Sequence, residues 1–396
     1  MANVFDYLAW RGELTFSQAP FNEVDSLILC ILSYIPFENI VPGPDEFVRN
    51  FLGKKSSKSI SLERAAEKYF SLHGEEMKIP GLLVPDETVR LLRETAQSGR
   101  FKDLELLRYI NSIDYQSQKQ FAAMTVIIGR NEFYIAYRGT DDTIAGWKED
   151  FNMCYMSPVP SQKESVHYLE ETAQALRGKI RLGGHSKGGN LAVYAAAFSR
   201  VNIGKRIVMI YNNDGPGFTS DIIRTEQYQR TKSIVRTLVP QSSVVGMLLE
   251  HEEEYVIIRN EQNVFFQHNP FTWEVTGASF CLVENITDSS KMIDNTVKEF
   301  IRSLDDDQKE QFVDALFGIL EKTEARTLTD LYLTRTSTFI RSISTLDEKS
   351  KQVLKQTLSI LVKAAQTTLR EKQKLQREQK NKKIITRRLQ IEKQEI

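Results

Sequence analysis

The sequence predicts an α/β fold: a mostly parallel sheet with helices on both faces, preceded by a helical N-terminal region and followed by a helical C-terminal extension. Three observations carry that prediction. Short β-rich runs alternate with helical segments between residues 116 and 283, the pattern of a sheet covered on both sides. Amphipathic segments with few strand signals flank this block on either side. Inside it, the stretch 181–197, RLGGHSKGGNLAVYAAA, passes from an apolar run through a Gly-His-Ser-Lys-Gly turn into a small-residue helix.

In chain order, EVDSLILCILSYI (23–35) reads as an apolar helix with acidic residues at its start, and SLERAAEKYFSL (61–72) as a helix opened by a Ser-x-x-Arg cap. DETVRLLRETAQ (86–97) follows Pro85 as a third helix, so residues 1 to about 115 read as mainly helical. QFAAMTVIIGRNEFYIAYRGT (120–140) is two β runs reversing at Gly129-Arg130-Asn131. A helix around 164–177, the strand KIRLGG and a helix at 187–199 come next. β runs at 205–211, 233–238 and 254–260 follow, and NVFFQHNPFTWEV (263–275) closes the block. From 284 onward SSKMIDNTVKEFIRSL, DDQKEQFVDALFGILEKT and TLTDLYLTRTSTFIRSI read as successive amphipathic helices. The chain therefore divides into a helical part (1–115), an α/β core (116–283), a helical region (284–362) and a basic tail (363–396).

Composition narrows the function classes. Lys plus Arg and Asp plus Glu both number 52 in 396 residues, so the whole molecule carries no charge bias toward nucleic acid or membrane. Cys30, Cys154 and Cys281 are scattered, with neither disulfide nor metal spacing, which fits a reducing cytoplasm; no metal or other cofactor is implied. The N-terminus lacks a basic segment leading into an apolar core, and LILCILSYI (27–35) is too short to span a bilayer, so a soluble cytoplasmic protein is expected. The tail holds 11 Lys or Arg against 4 Glu. It is read as a solvated face, with a protein partner or an anionic surface as its candidate contacts. It has no aromatic residue for stacking, so no nucleic acid is expected.

The pattern G-x-S-x-G has a physical meaning. A nucleophile sits on a strained strand-to-helix turn, glycines remove the Cβ atoms that would collide there, and the helix N-terminus favours developing negative charge. This nominates Ser186, with the backbone N–H of Lys187 as an oxyanion donor. The Lys187 side chain is expected to face solvent or substrate, because a cation in the first helical turn is unfavourable.

Five histidines are available as base. In α/β-hydrolases the order along the chain is serine, acid, histidine, which removes His73 and His167. His185 adjoins the nucleophile and is expected to point elsewhere, and His251, in LLEHEEEY, reads as a surface histidine. His268, in FFQHNPFTW, lies in a loop after the last β run, where the base belongs. The loop where the acid is usual, TLVPQSSVVGMLLEH, contains no Asp. Asp214, in YNNDGPGF, is the best carboxylate, either as the acid or as a residue that only shapes a Gly-Pro turn. Ser242 or Ser243 orienting the histidine weakly, and Glu250 or the glutamates at 252–254, are the alternatives.

YRGTDDTIAGWKEDF (137–151) resembles the oxyanion-loop signature of the class 3, fungal-type lipases, in which Arg-Gly-Ser/Thr is followed closely by Trp and Asp. Together with GGHSKGG it looks like a class 3 lipase-like α/β-hydrolase. FDYLAWRGELTF and QHNPFTW are similar to a bacterial family of such lipase-like proteins, Mbeg-like. The lipase-like part covers about 118–275, and the bacterial pattern most of the chain up to the tail. The resemblance implies Ser186 as nucleophile, His268 as base, and Thr140, through hydroxyl and backbone N–H, as second oxyanion donor. It also implies structural roles for Arg138, Trp147 and Asp150, with Asp150 anchoring the loop and Trp147 packing it. The interval from the RGT loop to the serine is shorter than in the lipases, which argues against a full interfacial lid. The function expected is hydrolysis of carboxylic or acyl-lipid esters through an acyl-enzyme. The alternative is a hydrolase-fold interaction or regulatory module with a degraded triad.

Overall fold

The computed structural model describes residues 1–49, 55–74, 85–262, 266–321, 326–327 and short runs between 348 and 359. Its centre is a nine-stranded sheet. In chain order the strands are β1 (Ile60–Ser61), β2 (Glu105–Asp114), β3 (Lys119–Gly129), β4 (Glu132–Tyr137), β5 (Lys179–His185), β6 (Ile207–Asn213), β7 (Val235–Pro240), β8 (Tyr255–Ile258) and β9 (Leu282–Val283). Their spatial order follows the chain, with β9 closing the far edge beside β8. Strands β4 to β8 run parallel, whereas β1 to β3 and β9 join antiparallel.

Side-chain alternation explains why both faces are covered. Along β4, Tyr134 and Ala136 enter one core, while Phe133, Ile135 and Tyr137 enter the other. The first face lies under four N-terminal helices: α1 (Val4–Arg11), α2 (Glu23–Leu32), α3 (Leu62–His73) and α4 (Glu87–Gln97). The second lies under α6 (Pro160–Ala175) and α7 (Lys187–Phe198); α5 (Ile144–Asn152) precedes them and packs on β3. Helix α2 crosses the middle of the sheet against β4, β5 and β6, and every residue from Val24 to Leu32 is buried. Its start is fixed by Asn22, whose side chain accepts from the N–H groups of Val24 and Asp25 while Asp25 accepts from the Asn22 N–H.

Two strands of this sheet, β1 and β2, come from the stretch expected to be helical, which also holds a separate pair, Phe47–Arg49 with Lys55–Ser57. β2 begins with Glu-Leu-Leu, which are helix formers, but Leu106, Leu107 and Tyr109 fill the core opposite β3, and that packing overrides local propensity. The strand absorbs a register shift between Leu107 and Ile110, with Arg108 at φ 56°. The reversal expected near Gly129-Arg130-Asn131 is the β3–β4 hairpin. The C-terminal helices Asp288–Arg302 and Asp306–Glu321 form as expected. The second packs Val313 and Phe317 against Ile144, Trp147 and Phe151 of α5. The helix expected in TLTDLYLTRTSTFIRSI and the basic tail lie outside the described residues. No helix among the described residues is long and apolar enough to cross a membrane.

A buried ion pair ties the N-terminal helices together. Arg100 Nε and Nη2 meet the Asp25 carboxylate at 2.7 and 2.6 Å, and both side chains are fully buried. Remaining guanidinium hydrogens go to the carbonyls of Leu14, Ala19 and Pro20, so the charge is fully coordinated. Tyr7 donates its hydroxyl to Asp25 at 2.8 Å, and burial pushes that phenol up to about 12. Removing one partner strands a buried charge. Arg100→Ala is expected to cost about 3–5 kcal/mol of unfolding free energy, read from urea titrations. A loss below about 1 kcal/mol, the range of an exposed pair, would contradict this.

Candidate active site

The parallel strands β4 to β8 all end on one edge of the sheet, where ligand sites of open α/β folds form. β4 runs into Arg138-Gly139-Thr140, β5 into Ser186, β6 into Asp214, β7 into Ser243, and the segment after β8 reaches His268.

Ser186 sits between β5 and α7 with φ 58° and ψ −134°, a conformation non-glycine residues adopt rarely and at a cost of about 1–3 kcal/mol. The neighbouring glycines make it feasible. A Cβ on Gly184 would fall 2.0 Å from the Gly188 carbonyl carbon, and one on Gly188 would fall 2.1 Å from the Tyr137 carbonyl oxygen. The turn is pinned by the Ser186 N–H to the Asn213 carbonyl at 3.0 Å. Ser186 is itself only partly buried.

Asp214 and His268 come together. Asp214 Oδ2 lies 2.7 Å from His268 Nδ1, which makes Nδ1 the donor and leaves Nε2 as the basic nitrogen. The carboxylate is fully buried and takes a second hydrogen bond from Ser243 Oγ at 2.5 Å. Asp214 is also at positive φ, 55°, with its N–H on the Leu238 carbonyl, so backbone geometry aims the side chain across β7 toward the His268 loop. Ser243 thus holds the Asp214 carboxylate, while Ser242 pairs with Thr287. Among the described residues, the Ser186 hydroxyl makes no hydrogen bond.

Three expectations need correction. His185 does not point away from the site: its ring lies 4.5 Å from that of His268, and its Nε2 donates to the His268 carbonyl at 2.9 Å. Burial, with His268 beside it, holds His185 well below the ordinary imidazole range, so it is a neutral prop for the His268 loop. Lys187 does not face solvent or substrate. Its Nζ is buried and donates to Glu149 at 3.1 Å and to both oxygens of Gln120 at 2.7 and 3.0 Å. His251 is not a surface residue, for its side chain is 6% exposed and its Nδ1 meets Glu253 at 2.9 Å. Glu253 also accepts from Tyr228 and Thr237, so the glutamates at 252–254 belong to a separate buried cluster or to the surface. Glu250 pairs through its backbone with Phe218.

The RGT loop lies beside the serine. Thr140 is buried and its hydroxyl donates to Asp150 Oδ2 at 2.5 Å, which leaves its backbone N–H as the donor not yet engaged. No described residue accepts that N–H. The Lys187 N–H, first in α7, has no acceptor within the helix. Arg138 is tied to Asn111 and Asp141, and Trp147 packs between α5 and the C-terminal helix. Among the described residues, no cluster of His, Cys, Asp or Glu is spaced to hold a metal ion.

The chain belongs to the Mbeg1-like family. That family's model matches residues 95–318. No curated protein sequence matches. The solved structures that resemble it include the Rhizomucor miehei lipase propeptide complex, native, at 15% identity and TM-score 0.34, over 66% of this chain and 89% of that one. A deletion mutant of the same complex gives 18% and 0.34 over 52% and 66%. M37 lipase gives 17% and 0.30 over 47% and 68%. The sheet order and the serine turn are of α/β-hydrolase type.

Asp150 provides a pH test of the loop. Its Oδ1 is buried without a hydrogen bond, and burial raises its carboxyl from 3.8 to about 6 despite Lys187 and the Thr140 hydroxyl. Between those values the native state holds the proton and the unfolded state does not, so this group's contribution to stability falls as pH rises. The stability of wild type relative to Asp150→Asn is therefore expected to decline from pH 4 to pH 6, by urea unfolding at each pH. A difference that stays flat or rises removes this assignment.

Proposed function

We propose that the chain is a serine hydrolase that cleaves carboxylic esters through Ser186, His268 and Asp214. The observation that carries the reading is the 2.7 Å contact between His268 Nδ1 and a fully buried Asp214, on the same sheet edge as a strained Ser186. The competing interaction-module reading rests on the lack of Asp after β7; the carboxylate that meets His268 comes from one strand earlier.

In this mechanism His268 Nε2 takes the Ser186 hydroxyl proton as Oγ attacks the ester carbonyl. Asp214 fixes the tautomer and stabilises the imidazolium that forms. The Thr140 and Lys187 N–H groups donate to the tetrahedral oxyanion, usually the largest single contribution to rate. His268 returns the proton to the departing alkoxide, leaving an acyl-enzyme on Ser186. Water then enters, His268 removes its proton, and the acid is released with Ser186 restored. Hydrogen bonds between nucleophile and base are commonly loose without substrate, which accommodates the unengaged Ser186 hydroxyl. The Asp150 and Lys187 side chains serve the oxyanion loop and do not react.

Fluorophosphonate labelling tests this. Wild type is expected to label on one serine, Ser186→Ala to lose the label, and His268→Ala to label far more slowly. Asp214→Asn is expected to lower ester turnover on the order of 10⁴-fold, because His268 would then hold its hydrogen on the wrong nitrogen. A folded wild type that takes no label counts against the whole reading.

A further inference from the structure

We infer that Tyr34, from the N-terminal helical part, is a third oxyanion donor whose hydroxyl faces the carbonyl oxygen of the substrate. The inference rests on the proposed hydrolase reading and adds a catalytic residue to it.

Tyr34 reaches the right place. A Cβ built on Gly139 would stand 2.3 Å from the Tyr34 hydroxyl, 2.5 Å from the His185 carbonyl oxygen and 3.1 Å from Ser186 Cβ. All three therefore crowd one point, between the RGT loop and the nucleophile. The Tyr34 hydroxyl thus stands against the Gly139 backbone on the Ser186 side, next to the Thr140 and Lys187 N–H groups that flank the nucleophile. The Tyr34 ring also lies 6.4 Å from that of His185, on the side of the sheet covered by the N-terminal helices.

Its hydroxyl is also free to act. Tyr34 is half-buried, and no described residue makes a hydrogen bond with its hydroxyl. By contrast Tyr7 is engaged by Asp25, Tyr134 by Ser26, Tyr137 by the Ser165 carbonyl, and Tyr168 by Thr125 and the Arg108 carbonyl. A substrate that seals the site over the Tyr34 hydroxyl without pairing it would leave a buried donor unsatisfied. A substrate oxyanion supplies the missing acceptor. Burial, only partly offset by Arg138, pushes the phenol well above its ordinary value, so it remains protonated and able to donate across the whole working pH range.

The residue is held firmly. Tyr34 lies just past the buried end of α2, where the Ser33 N–H bonds to the Leu29 and Cys30 carbonyls and the Tyr34 N–H to that of Ile31. The Ser33 hydroxyl donates to the Cys30 carbonyl at 2.6 Å. A donor anchored in this way needs no reorganisation when charge develops, which is the condition for oxyanion stabilisation. Gly139 completes the fit, since any side chain there would displace the phenol.

Tyr34→Phe removes the oxygen and keeps the ring. Two readouts are compared with wild type: the second-order rate of fluorophosphonate labelling, and kcat and KM for p-nitrophenyl butyrate. Loss of a donor is expected to lower the labelling rate and kcat by roughly tenfold to 10²-fold, with KM within about twofold and an unchanged melting midpoint. A variant within about twofold of wild type overturns the inference but leaves the hydrolase reading intact, since wild type still labels. The inference falls in the same way if Tyr34→Phe is normal and Tyr34→Ala alone is slow, which would make the ring a wall. A Tyr34→Phe protein that fails to fold also overturns it, because the hydroxyl would then be holding the fold. A folded wild type without label overturns both readings together.

Discussion

The buried pair of Lys187 and Glu149 is the interaction on which the site depends. Glu149 is fully buried and accepts from Lys187 Nζ, from the Gln120 N–H at 3.0 Å and from the Ser161 N–H at 2.7 Å. One carboxylate therefore joins the start of β3, helix α5, the start of α6 and the start of α7. A lysine in the first turn of α7 opposes the helix macrodipole, and a glutamate in low dielectric opposes burial. Each offsets the other, and further hydrogen bonds complete both. The result is that the RGT loop and the serine turn are fixed relative to each other by a fully buried set of contacts.

That frame explains how a strained residue can persist. Ser186 stores backbone strain, and the contacts that hold it are mostly main chain on main chain: Gly188 against Tyr137, Gly184 against Gly188, and the Ser186 N–H on Asn213. None can relax without pulling apart β4, β5 and β6. Strain of about 1–3 kcal/mol is small against the packing of a helix and three central strands, so the turn stays over-determined. The same edge positions Asp214, whose own positive φ lets a residue at the end of β6 reach past β7.

Much of this is legible in the sequence. The helices at 23–35, 61–72 and 86–97 show in their spacing and their opening residues, and the Gly-His-Ser-Lys-Gly turn in its place between strand and helix. Asp214 and His268 are legible as candidates, but the contact between them is not, because it depends on a backbone twist at Asp214 and on the path of a loop. Lys187 misleads for a definite reason: local electrostatics argues against a buried lysine there, and its partner lies 38 residues earlier in the chain. His185 and His251 mislead in the same way, since burial of a polar ring is decided by distant neighbours. β2 is hidden because Leu and Glu favour helix until a partner strand is present. Tyr34 carries no signal at all, being one of 14 tyrosines and set apart only by what stands around it.

The helical flanks and the core are best understood as one mechanical unit. Ile144, Trp147 and Phe151 form one stripe of α5 at helical spacing, and that stripe receives Val313 and Phe317 from the C-terminal helix. Lys148 adds an ion pair to Asp314 at 3.1 Å, and the Ile144 N–H bonds to the Arg326 carbonyl at 2.9 Å. The same helix presents Glu149 to Lys187 and Asp150 to Thr140. A helix gripped in this way cannot shift one contact without disturbing the other, so the C-terminal region bears on the RGT loop through α5 as directly as the N-terminal region does through α2. Residues outside the strand–helix block thus help hold the elements that carry the site, which is why strand–helix alternation alone does not delimit it.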